Sequence, residues 1–139
     1  MADVSVPAVA PIRRLFLWAP VVLHMAFLFA LSSIRQPPLP SVEGFDKSVH
    51  VGLYAVLGAL IARALASGSL RAVTMRVAVL SVVYTTLYGI SDEVHQHFVP
   101  PRVAETWDVV ADATGASIAA GVLCAWARRA AAPAKTTII

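Results

Sequence analysis

Four long apolar stretches, separated by short polar ones, organise the sequence. Leu15 to Ile34 is twenty residues without a formal charge; as a helix it rises about 30 Å, the thickness of a bilayer's hydrocarbon core. Val49–Leu65, Val73–Ile90 and Val109–Ala127 are each near that length. The polar connections carry the matching punctuation. Arg35–Lys47 contains Pro37, Pro38, Pro40 and Gly44, which end helices. Ala66–Ala72, with Ser67-Gly68-Ser69, is a short turn that makes the second and third helices an antiparallel hairpin. Pro100-Pro101, within Asp92–Asp108, stops any helix that enters that stretch. Pro20 lies inside the first span, where a kink is tolerated if a neighbour re-satisfies the freed carbonyl. Arg13-Arg14 ahead of an apolar run resembles a signal peptide, but the run exceeds the 7–15 residues typical of an h-region and reads as a retained helix. The pattern predicts an all-α integral membrane bundle of four transmembrane helices. It forms a single domain over 1–139, with a core at about 13–129 and mobile tails at 1–12 and 130–139.

Composition narrows the class. Of 139 residues, 58% are hydrophobic and 14% charged, against about 45–50% and about 25% in soluble domains, which excludes disorder and disfavours a soluble fold. The net charge of +3 arises from basic residues scattered among apolar runs rather than gathered in a stripe, so no nucleic-acid partner is expected. Cys124, the single cysteine, cannot form an internal disulfide and reads as a small packed side chain.

The basic residues also orient the helices. One side of the four spans receives Arg13, Arg14, Arg63, Arg71, Arg76, Arg128, Arg129 and Lys135, eight in all; the other receives three, Arg35, Lys47 and Arg102. Cytoplasmic flanks hold the excess, so both termini are expected in the cytoplasm of a multi-pass cell-membrane protein. Apart from Asp3, the acidic residues fall in or beside the two outer connections.

Three constellations can carry chemistry there. Asp46, His50 and Tyr54, spaced i, i+4, i+8, form one polar row on a helix, bordered by Lys47. Ionisable groups at that depth are costly unless they face other protein groups, which makes them functional candidates. Their plainer reading is Asp46 as a helix cap, Lys47 snorkelling to the headgroups and His50 merely packed. In Ser91-Asp92-Glu93-Val94-His95-Gln96-His97-Phe98, the residues Asp92, Glu93, Gln96 and His97 share a broad face, with His95 turned away. Glu93 can serve there as base, nucleophile or proton relay. Histidines beside carboxylates raise the question of a metal, but no His-Glu-x-x-His order is present, so no metal or other cofactor is expected and His95 and His97 read as a solvated interfacial pair. The third group is Arg102 with Asp108 and Asp112, again i, i+4. Asp108 has a capping explanation; Asp112, a turn deeper, must meet Arg102, Lys47 or His50, or be protonated. Gly115, Gly121 and nearby alanines give that helix a small-residue packing face.

Taken together, Ser32-Ser33, Asp46-Lys47-x-x-His50 with Tyr54, Asp92-Glu93-x-x-Gln96-x-Phe98 with Val99-Pro100, Arg102, and Asp108 before Asp112-x-x-Gly115 make an order that resembles the VanZ-like membrane protein family, from about Ser32 to Gly121. The family pattern commonly has Gly-Arg and Asn where this chain has Pro101-Arg102 and Asp112. The resemblance implies a small multi-helix membrane protein, the family's namesake being linked to resistance to the glycopeptide teicoplanin. It implies no particular reaction.

From the residues, the expected function is binding of, or catalysis on, lipid-linked cell-envelope material in an outward-facing pocket. Lys47 and Arg102 would hold an anionic head, helped by Gln96 and Tyr54. Glu93 would be the base, oriented by His50 and positioned by Asp46 and Asp108. The alternatives are a non-catalytic lipid- or partner-binding module and, less favoured for want of a charged through-path, a small-solute transporter.

Overall fold

A computed structural model describes residues 11–35 and 44–132. Pro37, Pro38, Pro40 and Glu43 lie outside them, as does most of each expected tail. Four helices make up the fold: α1 (Pro11–Ser32), α2 (Phe45–Leu65), α3 (Met75–His97) and α4 (Thr106–Ala131). Each is long and apolar enough to cross a bilayer, and the chain is a multi-pass membrane protein.

Each helix runs past its apolar stretch at one end or both, although α1 stops at Ser32, short of Ile34, and α3 starts at Met75, after Val73. α2 begins at Phe45 and α3 continues through the polar Ser91–His97, because nothing breaks the backbone until the prolines. Asp46, Lys47, Asp92, Glu93 and Gln96 are therefore helical, as the i, i+4 rows anticipated, with directions fixed by helical phase. α1 and α4 likewise reach into the segments read as tails, from Pro11 and to Ala131.

Local chemistry sets the ends. Gly44, at φ 75°, precedes α2 in the left-handed conformation that glycine adopts without penalty. It stands where Asp46 was expected to cap, and Asp46 instead turns to Lys47. After α2, Ser67 (φ 53°) and Gly68 (φ 88°) reverse the chain, and the Gly68 N–H donates to Arg63 O at 2.8 Å. Thr74 caps α3 by accepting from the Val77 N–H at 3.3 Å.

α2 and α4 make the closest pair. A Cβ on Gly115 would collide with the Val51 carbonyl, and one on Gly58 would lie 3.0 Å from Ala116 Cα, so the two backbones approach at small residues. Gly121 points outward with open space around it and takes no part in this face, contrary to the sequence reading, because its phase differs from that of Gly115 and Ala116. Ala66 and Val73 of the α2–α3 connection, Ala78 of α3, and Ala120, Cys124 and Ala127 of α4 form a second packed cluster.

α1 is the outer member. Leu17, Val21 and Leu28 pack against Tyr54, Leu57 and Ile61 of α2. Polar ties hold α1 to the bundle: Arg13 donates to Ser67 O (2.9 Å) and His24 Nε2 meets Leu53 O (3.0 Å) on the α2 side, and Tyr88 OH of α3 donates to Met25 O (2.6 Å). The remaining surface of α1, including Phe16 and Leu23, is apolar and exposed, as a lipid-facing surface should be. Trp107 opens α4 and Trp126 lies near its end, both exposed, at the levels occupied by interfacial aromatic belts.

Candidate functional site

The end of the bundle away from the Arg13–Ser67 contact gathers the first turns of α2 and α4, the last turns of α3, and Leu28, Leu31 and Ser32 of α1. They enclose a cavity of about 280 Å³, whose polar wall includes Asp46, His50, Tyr54, Asp92, Gln96 and Arg102.

Lys47 sits at the rim. Its Nζ lies 2.9 Å from Asp46, 2.7 Å from Glu105 and 2.6 Å from Asp108. It neither snorkels away nor stays available as an anion receptor: three carboxylates already surround it. Arg102 differs, making no salt bridge among the described residues while lining the cavity.

His50, one helical turn below, lies between two carboxylates. Nδ1 is 2.9 Å from Oδ1 of the fully buried Asp112, and Nε2 is 3.8 Å from Asp108 Oδ2. Of the partners anticipated for Asp112, His50 is the one realised. The ring also stacks on Tyr54, with centroids 6.0 Å apart. Asp112 fits because α3 places Gly89 opposite it; a Cβ there would lie 2.5 Å from Asp112 Oδ2.

Glu93 is held in place. Gln96 Nε2 donates to one oxygen at 3.1 Å, and the Glu105 backbone N–H to the other at 2.8 Å, tying the loop before α4 to α3. Glu93 lines a second, mainly apolar groove of about 500 Å³ with Ile90, Phe98 and Val109, while Gln96, its hydrogen-bond partner, lines the polar cavity. One His50 ring nitrogen and one oxygen each from Glu93 and Asp108 all lie within 4.8 Å of one another. Tyr54 OH donates to Asp92 at 3.3 Å, and Gln96 to the same oxygen at 3.2 Å, closing the floor.

All eight residues selected from the sequence, Asp46, Lys47, His50, Tyr54, Glu93, Gln96, Arg102 and Asp108, meet in this region. Of the histidine pair, His97 is exposed, as a solvated residue should be, although it does not share the buried face of Asp92, Glu93 and Gln96; His95 departs from expectation, stacking on Phe29 (4.2 Å) and meeting Ser33 Oγ at 3.0 Å, so that it docks α3 onto α1. Asp92 and Glu105 belong to the network without having been chosen; the i, i+4 spacing of Asp92 and Gln96 was the signal for the first. His24 also escaped the sequence reading, since one imidazole in an apolar run has no patterned neighbour.

No curated protein and no solved structure matches the chain. A family model does, the one described as VanZ/LLP1; it covers residues 6–128, which take in α1 to α3, all but the last three residues of α4 and every residue of the site, and the chain belongs to that family.

Proposed function

We propose that the protein binds, at the outer leaflet, the sugar-phosphate head of a lipid-linked cell-envelope component. The carrying observation is the composition of the cavity: one arginine free of salt bridges among the described residues, within a wall of carboxylates. Arg102 presents a planar donor fork that suits a phosphate, and Asp46, Asp92 and Glu105 offer acceptors for sugar hydroxyls. Lys47 holds the acidic rim together rather than reading the ligand. The exposed apolar groove beside Glu93 gives the ligand's hydrocarbon chain a path into the bilayer.

Glu93 favours binding without catalysis over an enzyme. Both of its oxygens already accept hydrogen bonds, as suits a fixed wall more than a free base. The family resemblance adds a cellular consequence, reduced teicoplanin susceptibility through an altered envelope target.

The test uses the purified full chain in nanodiscs with an undecaprenyl-linked sugar pyrophosphate. Saturable binding is expected, weakened at least tenfold by Arg102→Ala, which is about 1.4 kcal/mol. Glu93→Gln should retain binding; turnover by the wild-type chain that this variant loses would establish the enzyme reading. No preference over plain phosphatidylglycerol would overturn the proposal.

A further inference from the structure

We propose that His50, Glu93 and Asp108 bind one divalent transition-metal ion of the zinc class, with the remaining coordination position open to the polar cavity. The three donors come from three helices, α2, α3 and α4, and lie within 4.8 Å of one another. Imidazole plus two carboxylates is a normal donor set for zinc, and three protein ligands with one open position is the arrangement of its catalytic sites. Two donors each about 2.1 Å from a tetrahedral ion stand about 3.4 Å apart. The 3.8 Å between His50 Nε2 and Asp108 Oδ2 is too long for a hydrogen bond and close to that separation.

Three further features point to a cation. Asp108 is only 6% exposed; Lys47 Nζ lies 2.6 Å from its Oδ1, and its Oδ2 is turned toward His50 Nε2 at 3.8 Å. Asp112 holds His50 from behind through Nδ1; with the proton on that nitrogen, Nε2 is left with its lone pair, 3.8 Å from Asp108 Oδ2. This is the carboxylate–histidine–metal relay in which an outer carboxylate fixes the ligating tautomer. Finally, Asp46, Glu93, Glu105, Asp108 and Asp112 crowd around Lys47 and His50. That excess of negative charge, at the edge of a low-dielectric layer, is relieved by a dication. The Glu93 oxygens keep lone pairs for a metal while accepting from Gln96 and Glu105, which orient the carboxylate as second partners of metal ligands do.

The inference is tested without lipid substrate, so its outcome is separate from that of head-group binding. The full chain, purified in detergent and stripped with chelator, is dialysed against zinc chloride and its metal measured by mass spectrometry; cobalt chloride supplies a second, spectroscopic readout. One ion per chain is expected, with the visible absorption of low-coordinate cobalt. Glu93→Gln and Asp108→Asn, close in shape to the native side chains, should each weaken zinc at least tenfold. Asp112→Asn should weaken it about 10–100-fold. A His95→Ala/His97→Ala double variant should retain full stoichiometry. Wild-type protein without a stoichiometric ion, or with an ion lost in the His95/His97 variant, overturns the site. So does unchanged affinity in folded Glu93→Gln. Should the site variants not fold, the wild-type stoichiometry, the cobalt spectrum and the His95/His97 variant decide by themselves.

Discussion

Gly115 sets how near α2 and α4 can come. A methyl group at that position meets the Val51 carbonyl, which belongs to a helix and cannot rotate aside, so Gly115→Ala must push the pair apart and disturb the His50–Asp112 contact above it. Overpacking of this kind costs about 1–3 kcal/mol. Gly121→Ala, on the same helix but facing open space, should be neutral or stabilising by up to about 1 kcal/mol through helix propensity. Unfolding of both variants in mixed micelles checks the pair; equal losses would show that composition of α4, rather than its contact face, governs stability. Sequence pattern pointed to a small-residue face but not to its direction, because both glycines sit in the same alanine-rich run and only the partner helix distinguishes them.

At the scale of elements, the informative feature is the polar end of each helix. Hydropathy locates spans by their apolar interiors and so placed the ends of α2 and α3 several residues short, at Val49 and Ile90. The extensions carry Asp46, Lys47, Asp92, Glu93 and Gln96; helical phase turns Asp46, Asp92 and Gln96 into the polar cavity, with Lys47 and Glu93 bonded beside it. The i, i+4 pairs Asp46–His50, Asp92–Gln96 and Asp108–Asp112 were legible because they lie within single helices. The cross-helix partnerships, His50 with Asp112 and Glu93 with the Glu105 amide, leave no short motif, and a metal site divided among three helices leaves none either. α1 is joined to this core by fewer contacts, and its tie through Tyr88 is one hydrogen bond between helices. Such bonds in membranes average about 0.6 kcal/mol and reach about 1.7. Tyr88→Phe should therefore lower unfolding stability by that amount while leaving ligand or metal binding at the α2–α4 end unchanged. Loss of binding without loss of stability would mean that α1 shapes the cavity more directly than its contacts indicate.

For the molecule as a whole, the decisive property is which way the bundle faces, since four spans put both termini on one side and the polar cavity at the other. The described basic residues Arg13, Arg14, Arg63, Arg71, Arg76, Arg128 and Arg129 belong to the end opposite the cavity, and an excess of Lys and Arg marks the cytoplasmic flank. The cavity should then open outward. Replacing Cys124 by Ala first removes the native thiol; because Cys124 packs among small residues, that change should cost on the order of 1 kcal/mol. In that background, Ala104→Cys should react with a membrane-impermeant maleimide in intact cells, and Ser69→Cys only after permeabilisation. Ala104 is exposed in the connection before α4, and Ser69 is exposed in the turn between α2 and α3, so burial does not bias the comparison. Labelling of Ser69→Cys alone would place the cavity in the cytoplasm and remove the outer-leaflet head group from consideration. The metal proposal would be untouched by that result, because His50, Glu93 and Asp108 meet in the same way whichever compartment the open position faces.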